Sequence, residues 1–309
     1  MVLSVCPNPS VDCTVEVETL KVGSTNRIDN KVITYSGKAL NVAIGVARLK
    51  GDSFATGFLY NGNGAMFVHV LDDEGVKNTF VWNDGNARTN YKVVDNKSML
   101  TELNDKGDLV TEEKQEELIS IVKELSKQAK VVVMSGSLPT GVPADYYRRL
   151  ASVLPEGVKA IVDATGDRLR YALKAHPYFV KPNLAELQEL NGETYADTND
   201  ILRGCRKLID GGAENVLLSL GRKGAILTDG SSAWYCKSAN VAVNSTVGAG
   251  DSMVAAVARF TEEGAGKAEL LRTAVAAGTA SVTTPGTNLF YYEKFREIYE
   301  KISVEKIPC

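Results

Sequence analysis

From Thr111 onward the chain alternates short apolar runs with longer segments that carry apolar residues at helical spacing. Val131–Met134 and Val216–Leu220 are continuous apolar runs, which are typical of strands buried on both faces of a parallel sheet. The segment that starts at Thr111 has an N-cap residue and an acidic first turn, and it predicts a helix to about Gln128. Alternating strands and helices fold as a parallel sheet covered by helices on both faces. We therefore predict a doubly wound, mostly parallel α/β fold.

The same periodicity argument assigns the other elements of the alternating pattern. Further helices are predicted over Gly37–Lys50, Ala65–Asp72, Pro143–Leu154, Asp167–Lys174, Leu184–Leu190, Thr198–Asp210, Asp251–Glu262, Lys267–Val282 and Tyr291–Ile302. Further strands are predicted over Val2–Cys6, Ser53–Tyr60, Ala160–Val162 and Tyr178–Val180, with antiparallel edge strands over Gly224–Thr228 and Ala233–Cys236.

Four strand patterns lie outside this alternation and predict a second, smaller sheet. They cover Val11–Val17, Arg27–Tyr35, Arg88–Val94 and Ser98–Leu103. The first two alternate apolar with polar residues, as half-exposed strands do, and the last two form a hairpin pattern around Asp95-Asn96. We predict one domain over residues 1–309, with a β-sheet lid inserted at about residues 11–35 and 86–104.

Composition restricts the class of protein. The 309 residues are 44% hydrophobic and 24% charged, as in a soluble globular protein. A net charge of −3 argues against a general nucleic-acid binder, and no apolar run approaches the roughly 18 residues that a membrane span needs. The five cysteines are scattered without a C-x-x-C pair, and the two histidines do not complete a zinc-site spacing. We therefore expect a cytoplasmic protein with reduced thiols.

The stretch Thr246-Val247-Gly248-Ala249-Gly250-Asp251 opens the helix predicted over Asp251–Glu262. A glycine-rich turn that opens a helix points several backbone N–H groups in one direction and forms an anion site. Asp251 is a poor neighbour for a bound phosphate unless it takes a proton, and a hydroxyl that attacks a phosphoryl group supplies one. The residues alone leave two interpretations open: a phosphate site with an acid–base carboxylate, or a tight turn with Asp251 as a helix N-cap.

Five polar clusters follow predicted strands or border the lid. They are Asn8–Asp12, Ser36–Asn41, Ser135–Pro139, Lys181–Glu186 and Ser219–Gly221. Ligands of open α/β sheets bind at the carboxyl ends of the strands, so clusters that share this edge predict one binding site. Each cluster taken singly is also typical of an ordinary loop.

Two of these clusters carry groups that suit a phosphorylated sugar. Asp12 and Asn41 can hydrogen-bond sugar hydroxyls, since a carboxylate accepts and an amide both donates and accepts. Lys38, with Arg27 and Arg88 on the lid, offers a cationic pocket for a fixed anion, and the planar fork of Arg suits phosphate. The alternative for the two arginines is that they are exposed strand charges.

Taken together, these residues resemble the PfkB (ribokinase-like) carbohydrate kinases over essentially the whole chain. The resemblance rests on Thr246–Asp251, Asn8–Asp12, the glycine-lysine turn before Asn41, Thr101–Asn104, Ser135–Pro139, and Lys181-Pro182-Asn183 with Glu186. The segments Asn8–Asp12 and Ser135–Pro139 are similar to the corresponding segments of the branch of this family that phosphorylates sugar phosphates. That branch contains 1-phosphofructokinase, tagatose-6-phosphate kinase and the minor 6-phosphofructokinase. A dinucleotide-binding oxidoreductase is disfavoured, because no G-x-G-x-x-G follows the first strand.

The resemblance implies roles for individual residues. Asp251 matches the catalytic base, and Gly248–Gly250 matches the anion hole for the phosphoryl group that ATP transfers. Asn183 and Glu186 match an N-x-x-E motif that holds Mg²⁺ through water. The other positions that the resemblance assigns to the nucleotide are Lys181, Ser219, Gly221, Thr246, Gly278 and the turn Pro285-Gly286-Thr287.

The implied sugar site contains Asp12, Gly37, Lys38, Asn41 and Ser137, with Arg27 and Arg88 as phosphate binders. One turn departs from the family pattern, because Gly-Gly-Lys-Gly is replaced by Ser36-Gly37-Lys38-Ala39. Ala39 adopts positive φ less readily than glycine, and Ser36 adds a side chain near the sugar, so we expect an altered sugar pocket. The family also implies a homodimer formed through the lid.

The sequence therefore predicts an ATP- and Mg²⁺-dependent kinase of a ketohexose phosphate. The leading hypothesis is the conversion of fructose 1-phosphate to fructose 1,6-bisphosphate. Tagatose 6-phosphate is the nearest alternative substrate, and a 6-phosphofructokinase or a non-catalytic sugar-phosphate sensor are further alternatives. The expected partners are ATP and a small sugar phosphate, with no nucleic acid and no membrane.

Overall fold

The computed structural model describes residues 1–97, 99–284 and 289–309. Its strands are β1 (Val2–Cys6), β2 (Ser10–Val17), β3 (Asn30–Ser36), β4 (Ser53–Tyr60), β5 (Lys77–Asn78), β6 (Val81–Asn83), β7 (Arg88–Asp95), β8 (Leu100–Asn104), β9 (Val131–Ser135), β10 (Lys159–Asp163), β11 (Phe179–Val180), β12 (Val216–Ser219), β13 (Ala225–Thr228), β14 (Ala233–Cys236) and β15 (Val304–Ile307). Its helices are α1 (Lys38–Arg48), α2 (Ala65–Asp73), α3 (Glu112–Leu125), α4 (Tyr146–Ala151), α5 (Gly166–Leu173), α6 (Leu184–Asn191), α7 (Thr198–Asp210), α8 (Ala249–Glu262), α9 (Lys267–Ser281) and α10 (Tyr292–Lys301). None of these helices has the length and apolar character that crossing a membrane requires.

The larger sheet of the described chain has eleven strands, and its centre is parallel. Along the main path the order is β15-β14-β13-β12-β11-β10-β9-β1-β4-β5, with β6 also paired to β4. Strands β13, β14 and β15 add an antiparallel edge. Every residue of β1 and β9 is buried, as expected for parallel strands covered on both faces. The predicted fold class is confirmed: a large, mostly parallel sheet is flanked by helices and accompanied by a separate small sheet.

Helix α1 begins beside the end of β1 and packs closely on α8. A Cβ atom at Gly37, the residue before α1, would lie 2.8 Å from Cys6 Sγ at the end of β1. A Cβ atom at Gly45 would lie 2.6 Å from the Cβ of Ala255 in α8, which is closer than two carbon atoms can approach. Glycine at position 45 therefore permits the short distance between these two helices.

The small sheet has four strands in the order β3-β2-β7-β8. Strand β2 pairs antiparallel with β3 and parallel with β7, so that Asp12 lies opposite Thr34 on one side and Asn90 on the other. This sheet corresponds to the predicted lid. Arg27 was predicted inside a strand, but β3 begins at Asn30, and Arg27 lies in an exposed segment before it.

Three short strands and one helix length differ from the sequence-based expectation. Strands β5, β6 and β15 were not predicted, because polar residues interrupt them and none contains three consecutive apolar residues. The helix predicted over Pro143–Leu154 is limited to α4. The Pro143 carbonyl accepts from the N–H of Tyr146, and the Ala151 carbonyl accepts from the N–H of Leu154, so turns flank the helix at both ends. The predicted strand start at Ser98 lies outside the described residues.

Candidate active site

Asp251 lies in the first turn of α8, three residues after the glycine that begins the helix. Gly248 is the N-cap residue, with a left-handed φ of 79° that glycine adopts without strain. The interpretation of Asp251 as the N-cap is therefore wrong. The Ser252 N–H donates to the Gly248 carbonyl at 2.9 Å, so the N–H groups of Gly250 and Asp251 precede the helical hydrogen-bond ladder. Such groups can bind an anion.

An amide from a distant part of the chain holds the Asp251 carboxylate. Asn41 Nδ2 donates to Asp251 Oδ2 at 2.8 Å. Both residues lie one helical turn before the contact between Gly45 and Ala255. The close approach of α1 and α8 at that contact therefore brings the amide and the carboxylate together.

Burial raises the pKa of Asp251 to about 6. The residue is 7% exposed, and loss of hydration disfavours its charged form. The ammonium group of Lys38 and the hydrogen bond from Asn41 lower this pKa, whereas the carboxylate of Asp163 raises it. A carboxyl group with this pKa is mostly ionised at neutral pH and still basic enough to take a proton, which is what a general base requires.

A second buried carboxylate, Asp163, ends β10 and was not among the sequence candidates. Lys38 Nζ lies 3.5 Å from its Oδ2, Lys181 Nζ lies 3.4 Å from its Oδ1, and Ser135 Oγ donates to Oδ2 at 3.2 Å. Burial has the largest single effect and opposes the ionisation of Asp163, but the two ammonium groups and the hydrogen bond from Ser135 together outweigh it and hold its pKa below the usual range. Asp163 directly follows the predicted strand Ala160–Val162, so the strand-end rule that found the other clusters also applied to it.

Asp163 contacts both Lys38 at the start of α1 and Lys181 after β11, and so connects these two parts of the candidate site. Its charge raises the pKa of Lys38, and this effect exceeds the opposing effect of burial. Lys181, which follows β11, lies beside the glycine turn, where a Cβ at Gly250 would be 3.3 Å from Lys181 Nζ. The arrangement places positive charge next to the N-terminus of α8, where an anion is expected.

Asp12 is the centre of a buried polar cluster on the lid. Its Oδ1 accepts from Ser10 Oγ at 3.1 Å and from Asn90 Nδ2 at 3.0 Å. Its Oδ2 accepts from Ser36 Oγ at 3.3 Å and from Lys92 Nζ at 3.2 Å. Asn90 and Lys92 were missed by the sequence analysis, although the two-residue period of the strand that begins at Arg88 places all three side chains on one face.

The turn that departs from the family pattern is accommodated without strain. Ser36 is buried, and its hydroxyl binds Asp12. Ala39 lies inside α1 with a helical backbone and is fully buried, so the lower tolerance of alanine for positive φ has no effect on this turn. The change from glycine to serine at position 36 therefore acts on Asp12, whereas Ala39 belongs to the core.

Two further predicted sugar-site residues lie near the lid. Arg88 Nη1 donates over 3.4 Å to Asn90 Oδ1 and over 3.4 Å to the Asp105 carbonyl. Its Nε is buried and has no hydrogen-bond partner within the described residues. Ser137 Oγ accepts from Asn8 Nδ2 at 3.0 Å, which connects the loop after β9 with the loop after β1.

Asn183 and Glu186 form a capping box at the N-terminus of α6. Asn183 Oδ1 accepts from the Glu186 N–H at 2.9 Å, and Glu186 Oε2 accepts from the Asn183 N–H at 2.8 Å. The described residues contain no group of three or more acidic, histidine or cysteine side chains that could hold a metal by themselves. This arrangement fits Mg²⁺, which keeps several waters and takes phosphate oxygens as ligands, because one oxygen of Glu186 remains outside the capping box.

Three residues that were predicted to bind the nucleotide lie in or beside loops at the same edge of the larger sheet. Ser219 ends β12 and forms an isolated parallel bridge with Asn183, so the loops after β11 and β12 lie side by side. Gly221 has a left-handed φ of 59° and opens a short 3₁₀ turn. Thr246 is exposed in the loop before the glycine turn.

Of the remaining residues predicted to bind the nucleotide, Gly278 lies inside a helix. Gly278 is buried inside α9, and a Cβ there would lie 2.7 Å from Met253 Cγ and 3.3 Å from the Ala249 carbonyl oxygen. Gly278 therefore packs α9 against the start of α8, and it supports the glycine turn from behind. The turn Pro285-Gly286-Thr287 lies outside the described residues.

The chain is similar to known proteins over nearly its whole length. A family model described as "pfkB family carbohydrate kinase" matches residues 8–293. The chain is 31% identical over 308 residues to 1-phosphofructokinase from Borreliella burgdorferi, with 99% of each chain covered. It is 30% identical over 311 residues to tagatose-6-phosphate kinase from Staphylococcus epidermidis, covering 99% of this chain and 100% of the other. The structure of phosphofructokinase-2 from Escherichia coli in complex with potassium is similar, with a TM-score of 0.90, 29% identity, and 97% and 98% of the two chains covered.

The fold and the family match define the chain as a phosphotransferase. The chain belongs to the PfkB family of carbohydrate kinases. The family and the enzyme class predicted from the sequence are both confirmed.

Proposed function

We propose that this protein transfers the γ-phosphoryl group of ATP to the 6-hydroxyl of fructose 1-phosphate and forms fructose 1,6-bisphosphate and ADP. The observation that carries the proposal is the buried Asp251 carboxylate beside a turn that can bind a phosphoryl group. Sugar kinases of this family use ATP. The relative named 1-phosphofructokinase supports the choice of sugar phosphate.

In the proposed reaction Asp251 accepts the proton of the sugar hydroxyl as the oxygen attacks the γ-phosphorus. Asn41 orients the carboxylate through its hydrogen bond to Oδ2. The turn Gly248–Gly250 stabilises the charge that develops on the transferred group through the N–H groups that precede the helical hydrogen-bond ladder, and Lys181 adds positive charge beside them. Phosphoryl transfer depends mainly on positioning and charge stabilisation, so this set of groups is sufficient.

The proposed sugar site combines hydroxyl-binding and cationic groups from the lid and the start of α1. Its members are Asp12, Gly37, Lys38, Asn41, Arg88 and Ser137, with Arg27 from the exposed segment before β3. The buried and unpartnered Nε of Arg88 supports a phosphate ligand, because a buried N–H donor normally has an acceptor.

The proposed nucleotide site lies at the ends of β11 and β12. Ser219, Gly221 and Thr246 line it in the loops described above, and Gly278 supports it from α9. Asn183 and Glu186 would hold Mg²⁺ through water. When bound, the ion neutralises part of the charge on the ATP phosphates.

Tagatose 6-phosphate is a second candidate substrate, which would be converted to tagatose 1,6-bisphosphate. The 30% identity to tagatose-6-phosphate kinase over the full chain favours it almost as strongly as the 31% identity favours fructose 1-phosphate. The two sugars differ only in the configuration of one hydroxyl and in the carbon that carries the phosphate. Both proposals therefore use the same site residues.

We further propose that the chain is a single kinase domain that dimerises through its lid in the cytoplasm. Ile33, Cys13, Tyr91 and Leu103 form a row across the four strands of the lid. Ile33, Tyr91 and Leu103 are 44%, 47% and 60% exposed. An exposed apolar row on a sheet favours burial against a second copy. Five unpaired cysteines support a reducing compartment.

A panel of sugar phosphates tests the proposed reaction. The purified protein is incubated with ATP and Mg²⁺ and with fructose 1-phosphate, fructose 6-phosphate, tagatose 6-phosphate, fructose or ribose, and ADP release is measured against a blank without sugar. We expect the highest kcat/KM with fructose 1-phosphate. A preference for tagatose 6-phosphate would select the second candidate, and a preference for free ribose would overturn the phosphate site.

A further inference from the structure

The Asp12 carboxylate has a protein donor in each of its acceptor positions. Ser10 and Asn90 donate to Oδ1, and Ser36 and Lys92 donate to Oδ2. A carboxylate offers about four lone-pair positions to donors. A sugar hydroxyl that binds Asp12, as the proposed function requires, must therefore displace one of these four groups.

Lys92 is the donor that can leave with the least disturbance. Ser10, Ser36 and Asn90 carry short side chains on strands that are fixed in register with Asp12. Lys92 reaches Asp12 through a flexible four-carbon stem that can turn to another partner without moving the backbone. Its side chain is 12% exposed, so it borders the accessible side of the cluster.

A phosphate group on the sugar would provide the new partner for Lys92. Arg88, Asn90 and Lys92 point to one face of β7, because side chains alternate along a strand. The Cα atoms of Arg88 and Lys92 are about 13 Å apart along an extended strand, at roughly 3.3 Å per residue. Two such long side chains can meet an anion placed between them, above Asn90.

The unsatisfied donor of Arg88 is an independent indication of an anion at this place. Arg88 Nε is buried without a hydrogen-bond partner in the described part of the chain, and the Nη1 contacts are long. A guanidinium group binds phosphate through two parallel N–H donors. An acceptor that satisfies Arg88 would lie on the same face of β7 as Lys92.

We propose that Lys92 is a specificity-determining residue that exchanges Asp12 for the phosphate of the substrate, and this inference rests on the proposed function. A sugar phosphate supplies a hydroxyl to Asp12 and an anion to the released ammonium group of Lys92. A free sugar supplies only the hydroxyl, so its binding would leave a partly buried ammonium group without a counter-charge. The exchange therefore selects sugars that already carry a phosphate.

The test compares Lys92→Met with Lys92→Arg, using Lys97→Met on an exposed lid turn as the matched control. We expect Lys92→Met to raise the KM for fructose 1-phosphate by about 10- to 100-fold, the effect of losing one charged hydrogen bond. The KM for ATP should not change, and the preference for fructose 1-phosphate over fructose should fall by a similar factor. Lys92→Arg keeps the charge and should retain most of the affinity, and Lys97→Met should match the parent.

The outcomes separate this inference from the proposed function. If the parent protein uses sugar phosphates and Lys92→Met leaves both the KM and the preference unchanged, Lys92 only neutralises Asp12 and the inference is wrong. If the parent protein prefers unphosphorylated sugars, the proposed function fails and the inference fails with it. Thermal unfolding of each variant identifies a loss that comes from misfolding. If Lys92→Met misfolds, its KM for ATP also changes. The KM for fructose 1-phosphate of Lys92→Arg, measured on a variant with a parent-like Tm, then tests the role of Lys92.

Discussion

Asp251 combines two opposing demands on a single carboxyl group. Burial protects it from water and raises its pKa to about 6, so the group is basic enough to take a proton from an attacking hydroxyl. Lys38 and Asn41 oppose the effect of burial and keep the group ionised at neutral pH. Without these two partners the carboxyl group would be protonated more often and would lose its value as a base.

Asp251→Asn should remove catalysis and leave sugar binding intact. An amide has nearly the shape of a carboxylate but cannot accept the proton, so we expect kcat to fall by about 10²- to 10⁴-fold. The free energy of unfolding at neutral pH should stay the same or increase, because a buried neutral amide is less costly than a buried charge. Steady-state ADP release, titration calorimetry with the sugar phosphate and thermal unfolding measure these quantities. Unchanged turnover would exclude Asp251 from the mechanism and favour a base elsewhere.

The pH dependence of kcat/KM should report the same group. Because the pKa of Asp251 is raised, the ionised fraction is nearly complete above pH 7 and falls about tenfold per pH unit well below pH 6. We expect kcat/KM to be level at neutral pH and to decline as the pH falls through about 6. Lys38→Met should move the decline to higher pH, since Lys38 lowers the pKa of Asp251. A level profile from pH 5 to pH 8 would contradict this assignment.

Helices α1 and α8 act as one unit that joins the two ends of the chain. Asn41 on α1 and Asp251 on α8 are 210 residues apart, and their hydrogen bond depends on the distance between the two helices. That distance is set one turn later, where Gly45 leaves room for the Cβ of Ala255. The packing of two apolar helix faces therefore controls the geometry of two polar side chains.

Gly45→Ala should weaken both packing and catalysis. The added Cβ would lie 2.6 Å from Ala255 Cβ, so the helices must separate. We expect a loss of about 1–3 kcal/mol in the free energy of unfolding, as for other overpacked cores, and a lower kcat because Asn41 moves away from Asp251. Urea denaturation and steady-state kinetics measure the two effects.

The matched control moves the same methyl group from one helix to the other. In Gly45→Ala/Ala255→Gly the total volume at the contact is unchanged, and the gain and loss of helix propensity nearly cancel. Recovery of kcat in the double variant would show that helix spacing is the cause. A double variant as inactive as Gly45→Ala would mean that the glycine has another role.

At the scale of the whole molecule, the lid sheet has one polar face and one apolar face. Its polar face holds Asp12 with Asn90 and Lys92, whereas the other face carries the apolar row that includes Ile33, Tyr91 and Leu103. An exposed apolar face on a sheet is typical of an interaction site, because covering it with another protein surface removes it from water. A second lid from another copy would cover it and would also fix the strands that position Asp12.

Tyr91→Glu should convert the proposed dimer to a monomer. A charge in the apolar row would be buried without a partner in the interface, which strongly disfavours association. Tyr171→Glu on α5 is the matched control, because Tyr171 is 40% exposed and Tyr91 is 47% exposed. Light scattering coupled to size exclusion measures the mass of each variant. A parent protein that is monomeric at micromolar concentration would contradict the lid interface.

Most of the architecture could be predicted because it follows from local patterns. The apolar runs at Val131–Met134 and Val216–Leu220 and the helical spacing of Thr198–Asp210 depend on neighbouring residues only, and each element was found where it was predicted. Strand β15 was missed because Val304–Ile307 contains no continuous apolar run, and its pairing with β14 exists only in the folded chain. Short strands are defined by their partners more than by their own residues.

The candidate site was predictable as a set of loops but not as a set of contacts. Glycine turns and polar residues after strands mark the edge of the sheet, so Asp12, Asn41 and Asp251 could be grouped from the sequence alone. Asp163 and Lys92 were missed because the strand-end position of Asp163 and the strand period that places Lys92 beside Arg88 do not show that either residue has an ionic partner. Their importance arises from partners contributed by other strands and helices.

The order of apolar runs, helix starts and glycine turns in the sequence therefore determined the fold class and the edge of the sheet that carries the site, and the resemblance of its motifs indicated the family. The folded chain alone determined that Asn41 holds Asp251, that Asp163 joins Lys38 to Lys181, and that four donors surround Asp12. The physical reason is the distance along the chain over which each kind of interaction acts. Backbone propensity and hydrophobic periodicity act over a few neighbouring residues, whereas burial, pKa and hydrogen-bond partnership depend on distances that exist only after the helices and both sheets have packed.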